Sequence, residues 1–158
     1  MHIYLRYSGD MIQQMEIMVL NKLEWCLTAV TPLHFLGYYL SKGVLFEDDL
    51  MQGKPLVEKV PRYMQKYAEF FADLCLQEYS FQVYPPSLLS AAIITASRKA
   101  LHVSPLWRHE LTNLTGVTEQ EIAPYMNHLW RHYLVSFPSA YDSSQAKDGS
   151  SPDTVSDF

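Results

Sequence analysis

Charged side chains are scarce in this chain. Asp, Glu, Lys and Arg make up 18% of its 158 residues, whereas roughly 25% is usual for a globular domain. The net charge is −5, of which the last 21 residues carry −3 and the remainder only −2. A chain so close to neutral lacks the basic face that nucleic acids or anionic membrane surfaces require. The shortage of charge instead predicts a surface that is buried against a partner protein.

Cysteine and long apolar runs are also scarce. The two cysteines, Cys26 and Cys75, lie within apolar patterns, and the N-terminus has no targeting design. This combination predicts reduced thiols in an intracellular protein rather than a disulfide. The least polar stretch, residues 87–97, is far shorter than the about 20 apolar residues needed to span a membrane. The sequence therefore predicts no membrane span.

Catalytic motifs are missing too. There is no Gly-rich phosphate loop, G-x-S-x-G, H-E-x-x-H or Cys-x-x-Cys. His128 and His132 have the i, i+4 spacing of a zinc site, with Glu121 on the same flank, but a solvated or partly packed pair is the favoured reading. The acids of residues 47–49 suggest a cation site, yet they lack the alternation of a calcium loop, and a solvated turn is preferred. The sequence predicts neither an enzyme nor a metal or other cofactor.

Among the features that are present, the stretch from Pro85 to Leu101 dominates. It carries no charge between Ser87 and Ser97, and its apolar residues surround the helical circumference. A helix that is apolar on all sides and too short for a membrane belongs in a protein core. Its many alanines and serines allow neighbouring helices to approach closely. We therefore expect a central helix wrapped by others.

Helical periodicity and capping signals place further helices around it, and no convincing pair of strands is found, so the predicted fold class is all-α. The capping signals are Asp10 with Gln13, Thr31 before Pro32, and Thr118 with Glu121, and the predicted helix stops are Gly43 and Gly116. The tail is rich in Ser, Asp and Pro, which predicts disorder. The predicted helices cover residues 10–23, 31–42, 56–78, 85–101, 106–114 and 118–137.

One carboxylate in the first helix is out of place. Ile12, Met15, Val19 and Leu23 form an apolar stripe, and Glu16 lies only about 40° from its axis. Burial of that carboxylate would require a basic or N–H partner, because an unpaired buried charge is costly. The alternative is that Glu16 lies at the edge of the stripe and reaches water.

Two stretches resemble the cyclin family. Residues 15–27, MEIMVLNKLEWCL, are similar to the pattern M-E-x-x-(I/V)-L-x-x-L-x-(W/F)-x-L that closes the first cyclin box. Residues 31–36, TPLHFL, are similar to the T-P-x-x-F-L that opens the second box. The Ala-rich helix and its surroundings resemble the second box of A- and B-type cyclins, so that the likeness covers about residues 4–137.

The resemblance implies a domain organisation. A cyclin box has five helices around a central third, and the Pro85 helix is the third counted from Thr31. Residues 1–30 would be what remains of the N-terminal cyclin box, namely its last helix and a linker. Residues 31–137 would be the C-terminal cyclin box, and residues 138–158 a disordered tail.

The resemblance also implies a function: regulation of a cyclin-dependent serine/threonine kinase in the cell cycle, in the nucleus and/or the cytoplasm. Glu16, Leu20, Trp25 and Leu27 match family positions that contact the kinase. In the family, the acid at Glu16 pairs with an upstream lysine, and both hold the kinase's regulatory helix. The other three match positions that pack against that helix, although ordinary core packing is an alternative for them.

Most of the first box has no counterpart here, including the lysine and the substrate-docking patch. We therefore expect impaired kinase activation, and self-association through the exposed apolar stripe of the first helix. A different class, a cyclin-like scaffold or transcription-factor-type domain without a kinase, remains as an alternative. Ser151-Pro152 is a minimal proline-directed phosphorylation site.

Overall fold

The computed structural model describes residues 7–138, and the chain divides into two compact units, Met1–Val30 and Thr31–Phe158. The first unit contributes helix α1 and the second unit all the other elements. The helices are α1 (Gly9–Lys22), α2 (Pro32–Lys42), α3 (Val60–Gln77), α4 (Pro86–Ala100), α5 (His109–Thr115) and α6 (Glu119–Ser136), with a 3₁₀ helix at Tyr79–Val83. The strands are β1 (Leu50–Met51), β2 (Lys54–Pro55) and β3 (Val103–Ser104).

Helix α4 is the centre of the second unit and packs against α2, α3 and α6. All residues from Leu89 to Arg98 are buried. The hydroxyls of Ser90, Thr95 and Ser97 donate to carbonyl oxygens one turn earlier at 2.7–2.8 Å. Because these hydroxyls are hydrogen-bonded, their burial costs little free energy. The predicted all-α fold, a set of five helices of which the Ala-rich one is central, preceded by one further helix, is confirmed.

The predicted end signals of the later helices are found in the structure. Thr31 precedes α2, which stops at Gly43 with φ +91°. Thr118 and Glu121 form a reciprocal capping box at the start of α6. The prediction for α1 is wrong in detail, because Ser8 is its N-cap and its hydroxyl accepts from the Met11 N–H at 3.2 Å. The box of Asp10 and Gln13 is not formed, since both lie inside the helix.

A small antiparallel sheet corrects the prediction that no strands pair. β1 lies between β2 and β3, with Leu50 opposite both Pro55 and Ser104. Each strand has only two residues, too few for an alternating pattern to reveal. Two predicted helices also begin later than expected. Helix α3 begins at Val60 instead of Leu56, after a turn at residues 58–59, and α5 begins at His109 instead of Leu106, after a bend at residues 105–107.

The predicted disordered tail and the Ser151-Pro152 site lie outside residues 7–138, apart from Pro138 itself. Between residues 7 and 138 no helix combines the length and the hydropathy required to cross a membrane.

Candidate functional site

The surface of α1 is strongly apolar and exposed to solvent. Tyr7 and side chains of α1 line a shallow groove of about 600 Å³ that continues past the end of the helix to Leu27. Exposed apolar area of this extent usually marks a protein contact. The groove is lined by Tyr7, Met11, Ile12, Met15, Glu16, Val19, Leu20, Leu23 and Leu27.

Glu16 lies among these apolar side chains, at the place that the helical spacing predicts. It is exposed, so its carboxylate meets water and the requirement for a partner inside a core does not arise. This outcome matches the alternative in which Glu16 reaches water. Within residues 7–138, no ion pair or hydrogen bond involves the Glu16 side chain. A carboxylate on an apolar face and without a basic neighbour in this region is available to an external donor.

The chain turns sharply after α1. Glu24 and Trp25 both have left-handed backbone conformations, with φ of +52° and +57°. Such values are uncommon for residues other than glycine. The Trp25 N–H donates to the Leu20 carbonyl at 2.9 Å, and the Leu27 N–H donates to the Trp25 carbonyl at 3.1 Å. These bonds fix a tight corner at the end of the helix.

This corner presents two large apolar side chains to solvent. Trp25 is 62% exposed and Leu27 is 60% exposed, whereas Leu20 is half-buried. The indole N–H of Trp25 donates to the Asn21 side-chain oxygen at 3.1 Å. The alternative interpretation of these positions was ordinary core packing. Trp25 and Leu27 are exposed and are not packed in a core. Glu16, Leu20 and Leu27 line the same groove, and Trp25 lies at the corner beside it.

The histidine pair of α6 is packed with aromatic side chains. The Tyr84 hydroxyl and His128 Nδ1 are 2.7 Å apart, and the His128 ring stacks on Phe81 at 4.6 Å between centroids. His132 meets the edge of the same phenylalanine. In the part of the chain that the structure describes, no three His, Cys, Asp or Glu side chains are grouped as metal ligands. The partly packed reading describes this pair, and nothing in that part supports a zinc site.

The acidic loop is only in part the solvated turn that its sequence predicts, because Glu47 and Asp48 are exposed whereas Asp49 is not. Asp49 is fully buried and receives two hydrogen bonds of 2.8 Å from Arg98, which is itself fully buried. The remaining Arg98 N–H groups donate to the carbonyls of Val44, Pro105 and Leu106. All the donor directions of the guanidinium are used, so a charge can be buried in this core.

A second arginine extends this network to the surface. Arg108 donates to both oxygens of Asp48, to Asp49 and to Glu110, at 2.8–3.0 Å. Its guanidinium lies 4.5 Å from the centre of the Phe46 ring. Neither Arg98 nor Arg108 was predicted from the sequence. The signal in the sequence was an arginine directly after the uncharged run of residues 87–97, together with three acids in one loop.

The pKa values of the network follow from these contacts. Burial would raise the pKa of the Asp49 carboxyl, but hydrogen bonds from Arg98 and from the Phe46 N–H outweigh it, and the pKa is lowered. Hydrogen bonds from Arg108 lower the pKa of Asp48 and Glu110, and the same bonds raise the pKa of Arg108. The lowered pKa values keep the carboxyls of Asp48, Asp49 and Glu110 ionised near neutral pH.

The two cysteines are free thiols. Cys26 is exposed and Cys75 is buried in the second unit. Burial raises the pKa of Cys75 to about 12, so it remains a protonated, inert core residue.

The fold and the surface of α1 define a class: an all-α protein with an exposed apolar helix. The family model described as "Cyclin, C-terminal domain" matches residues 30–154. That is well over half of the chain, and the chain therefore belongs to the cyclin family.

Named relatives agree with this assignment. Cyclin-J of Xenopus laevis is 45% identical over 103 residues, which are 64% of this chain and 27% of that protein. Cyclin-D of Ostreococcus tauri is 34% identical over 121 residues, which are 75% of this chain and 32% of that protein. Cyclin-B1-1 of Oryza sativa subsp. japonica is 34% identical over 116 residues, which are 73% of this chain and 24% of that protein. The chain thus spans between about a quarter and a third of the length of these relatives.

Proposed function

We propose that this chain is the C-terminal part of a cyclin that binds and activates a cyclin-dependent serine/threonine kinase in cell-cycle control. The observation that carries the proposal is the exposed surface of α1 and its corner, where Glu16, Leu20, Trp25 and Leu27 are presented together. Membership of the cyclin family supports it. Under this proposal residues 1–30 are the end of the first box, residues 31–137 are the second box, and residues 138–158 form the tail.

The chain itself performs no chemistry under this proposal. Contacts with the exposed surface would favour the active placement of the kinase's regulatory helix, which is a shift between existing states of the kinase. The four kinase-contact candidates would act by binding alone, with no metal and no cofactor. We place the protein inside the cell, in the nucleus and/or the cytoplasm, with a kinase rather than nucleic acid or membrane as its partner.

Removal of the Glu16 carboxylate tests the kinase contact. We expect Glu16→Ala to weaken capture of a purified cyclin-dependent kinase about tenfold, because a charge-assisted contact worth roughly 1.5 kcal/mol is lost. The measurement is a pulldown titration with the 158-residue chain. Glu58→Ala, an exposed acid outside the groove, is the matched control and should bind like the original chain.

Equal capture by the original chain and Glu16→Ala would contradict the proposed contact. No capture at all would favour the cyclin-like scaffold without a kinase. Histone phosphorylation in the same samples reports activation. We propose that kinase activation is weak with these 158 residues alone. In the family the acid at the position of Glu16 pairs with a lysine, and that lysine has no counterpart among these residues.

Self-association is the second part of the proposal. The α1 groove is large and apolar, and a second copy can cover it when no other partner is present. We expect sedimentation velocity to show a concentration-dependent dimer, and Val19→Lys, inside the groove, to abolish it. Ile17→Lys, on α1 but outside the groove, is the control. A monomer at all concentrations would contradict this part and leave the kinase contact unaffected.

A further inference from the structure

The Trp25 side chain is held in place although it is largely exposed. Its indole N–H donates to Asn21 Oδ1 at 3.1 Å, and its backbone N–H donates to the Leu20 carbonyl at 2.9 Å. Asn21 lies in the last turn of α1, one helical turn before the tryptophan. The backbone of Trp25 is therefore tied to the helix backbone, and its side chain is tied to the Asn21 side chain.

A surface tryptophan held in this way is suited to bind another protein. Its large apolar ring provides contact area, and tryptophan is enriched among the residues that dominate binding energies. A side chain that is already ordered loses less conformational freedom when a partner arrives. The hydrogen bond also satisfies the indole N–H locally, so the N–H needs no acceptor from the partner.

We propose that Asn21 is a positioning residue, whose side-chain oxygen holds the Trp25 indole in the orientation that meets the kinase. This inference rests on the proposed function and names a residue outside the four contact candidates. Asn21 itself does not line the groove. It acts through the indole N–H, so its contribution depends on a tryptophan at position 25. A phenylalanine there would keep an aromatic ring but lose the link.

This dependence gives a test with five variants in the 158-residue chain. Binding of a purified cyclin-dependent kinase is measured for Asn21→Leu, Trp25→Phe, their combination, Asn21→Asp and Trp25→Ala. We expect Asn21→Leu to weaken binding about fivefold, the typical value of one hydrogen bond. In the Trp25→Phe background the same change should have no effect. Asn21→Asp keeps an acceptor oxygen and should restore most of the affinity.

Two controls separate positioning from damage to the helix. Leucine has a higher helix propensity than asparagine, so Asn21→Leu should not unfold α1. Gln14→Leu removes an exposed amide from the same helix outside the groove and should leave binding unchanged. The indole N–H signal of Trp25, identified by its loss in Trp25→Phe, should exchange with solvent several-fold faster in Asn21→Leu.

The outcomes distinguish this inference from the proposed function. If Trp25→Ala weakens binding while Asn21→Leu does not, the positioning role is wrong and the kinase contact stands. An equal loss from Asn21→Leu in the original chain and in the Trp25→Phe background would also overturn it, because the indole N–H would then not be the link. If neither Trp25→Ala nor Glu16→Ala changes binding, the proposed function fails and the inference fails with it.

Discussion

Replacement of Arg98 by methionine is expected to lower the free energy of unfolding by about 3–5 kcal/mol. Among residues 7–138, the substitution leaves the buried Asp49 carboxylate with Arg108 as its only cationic partner. It also removes the hydrogen-bond donors that Arg98 supplies to three carbonyl oxygens. A buried charge that loses its main partner is among the costliest changes in a protein core. The midpoint of thermal unfolding should fall by about 10 °C.

Urea unfolding followed by circular dichroism measures this loss. Arg131→Met is the matched control, because Arg131 is exposed on α6, and it should change stability by less than about 0.5 kcal/mol. A change below about 1 kcal/mol for Arg98→Met would show that the ion pair is not formed as described. The variant Asp49→Asn should also be destabilised, since it leaves the Arg98 charge uncompensated.

Replacement of Phe81 by alanine should cost about 3–5 kcal/mol. Phe81 is fully buried in the 3₁₀ helix between α3 and α4. Its ring stacks on His128 and meets the edges of Tyr84 and His132, so it attaches this linker to α6. Removal of the ring leaves a cavity that a short 3₁₀ helix between two long helices cannot fill by shifting.

The control for this prediction is in the same linker. Tyr79→Ala removes an aromatic ring of similar size that is 81% exposed, and it should cost less than about 0.5 kcal/mol. Urea unfolding of both variants gives the comparison. Equal losses for the two would contradict the idea that Phe81 anchors the linker.

The helices could be predicted because their signals are local. Thr31, Gly43, Gly116 and the pair Thr118 and Glu121 act within one or two turns of their own positions, and all are found at helix ends. The predicted start of α1 was wrong by two residues because Ser8 and Asp10 are both good caps and the structure uses the first. The face of α1 that carries Glu16 follows from helical spacing alone.

The residues of the candidate site could be predicted from the sequence, but their backbone geometry and hydrogen bonds could not. The pattern of residues 15–27 identified Glu16, Leu20, Trp25 and Leu27, yet it gave no indication of the left-handed pair Glu24 and Trp25. Nor did it show the bond from the indole to Asn21. Neither residue of the left-handed pair is glycine, so propensity argued against a corner of this kind.

The sequence by itself determined the helices, their caps, the central position of α4 and the family, since each depends on residues within a few positions of one another. Only the tertiary structure decided that Asp49 is buried against Arg98, 49 positions away, and that β1 pairs with β3 across more than 50 residues. The physical reason is that a carboxylate in a loop has the same local signature whether it meets water or an arginine. Which of the two it meets depends on the path of the whole chain.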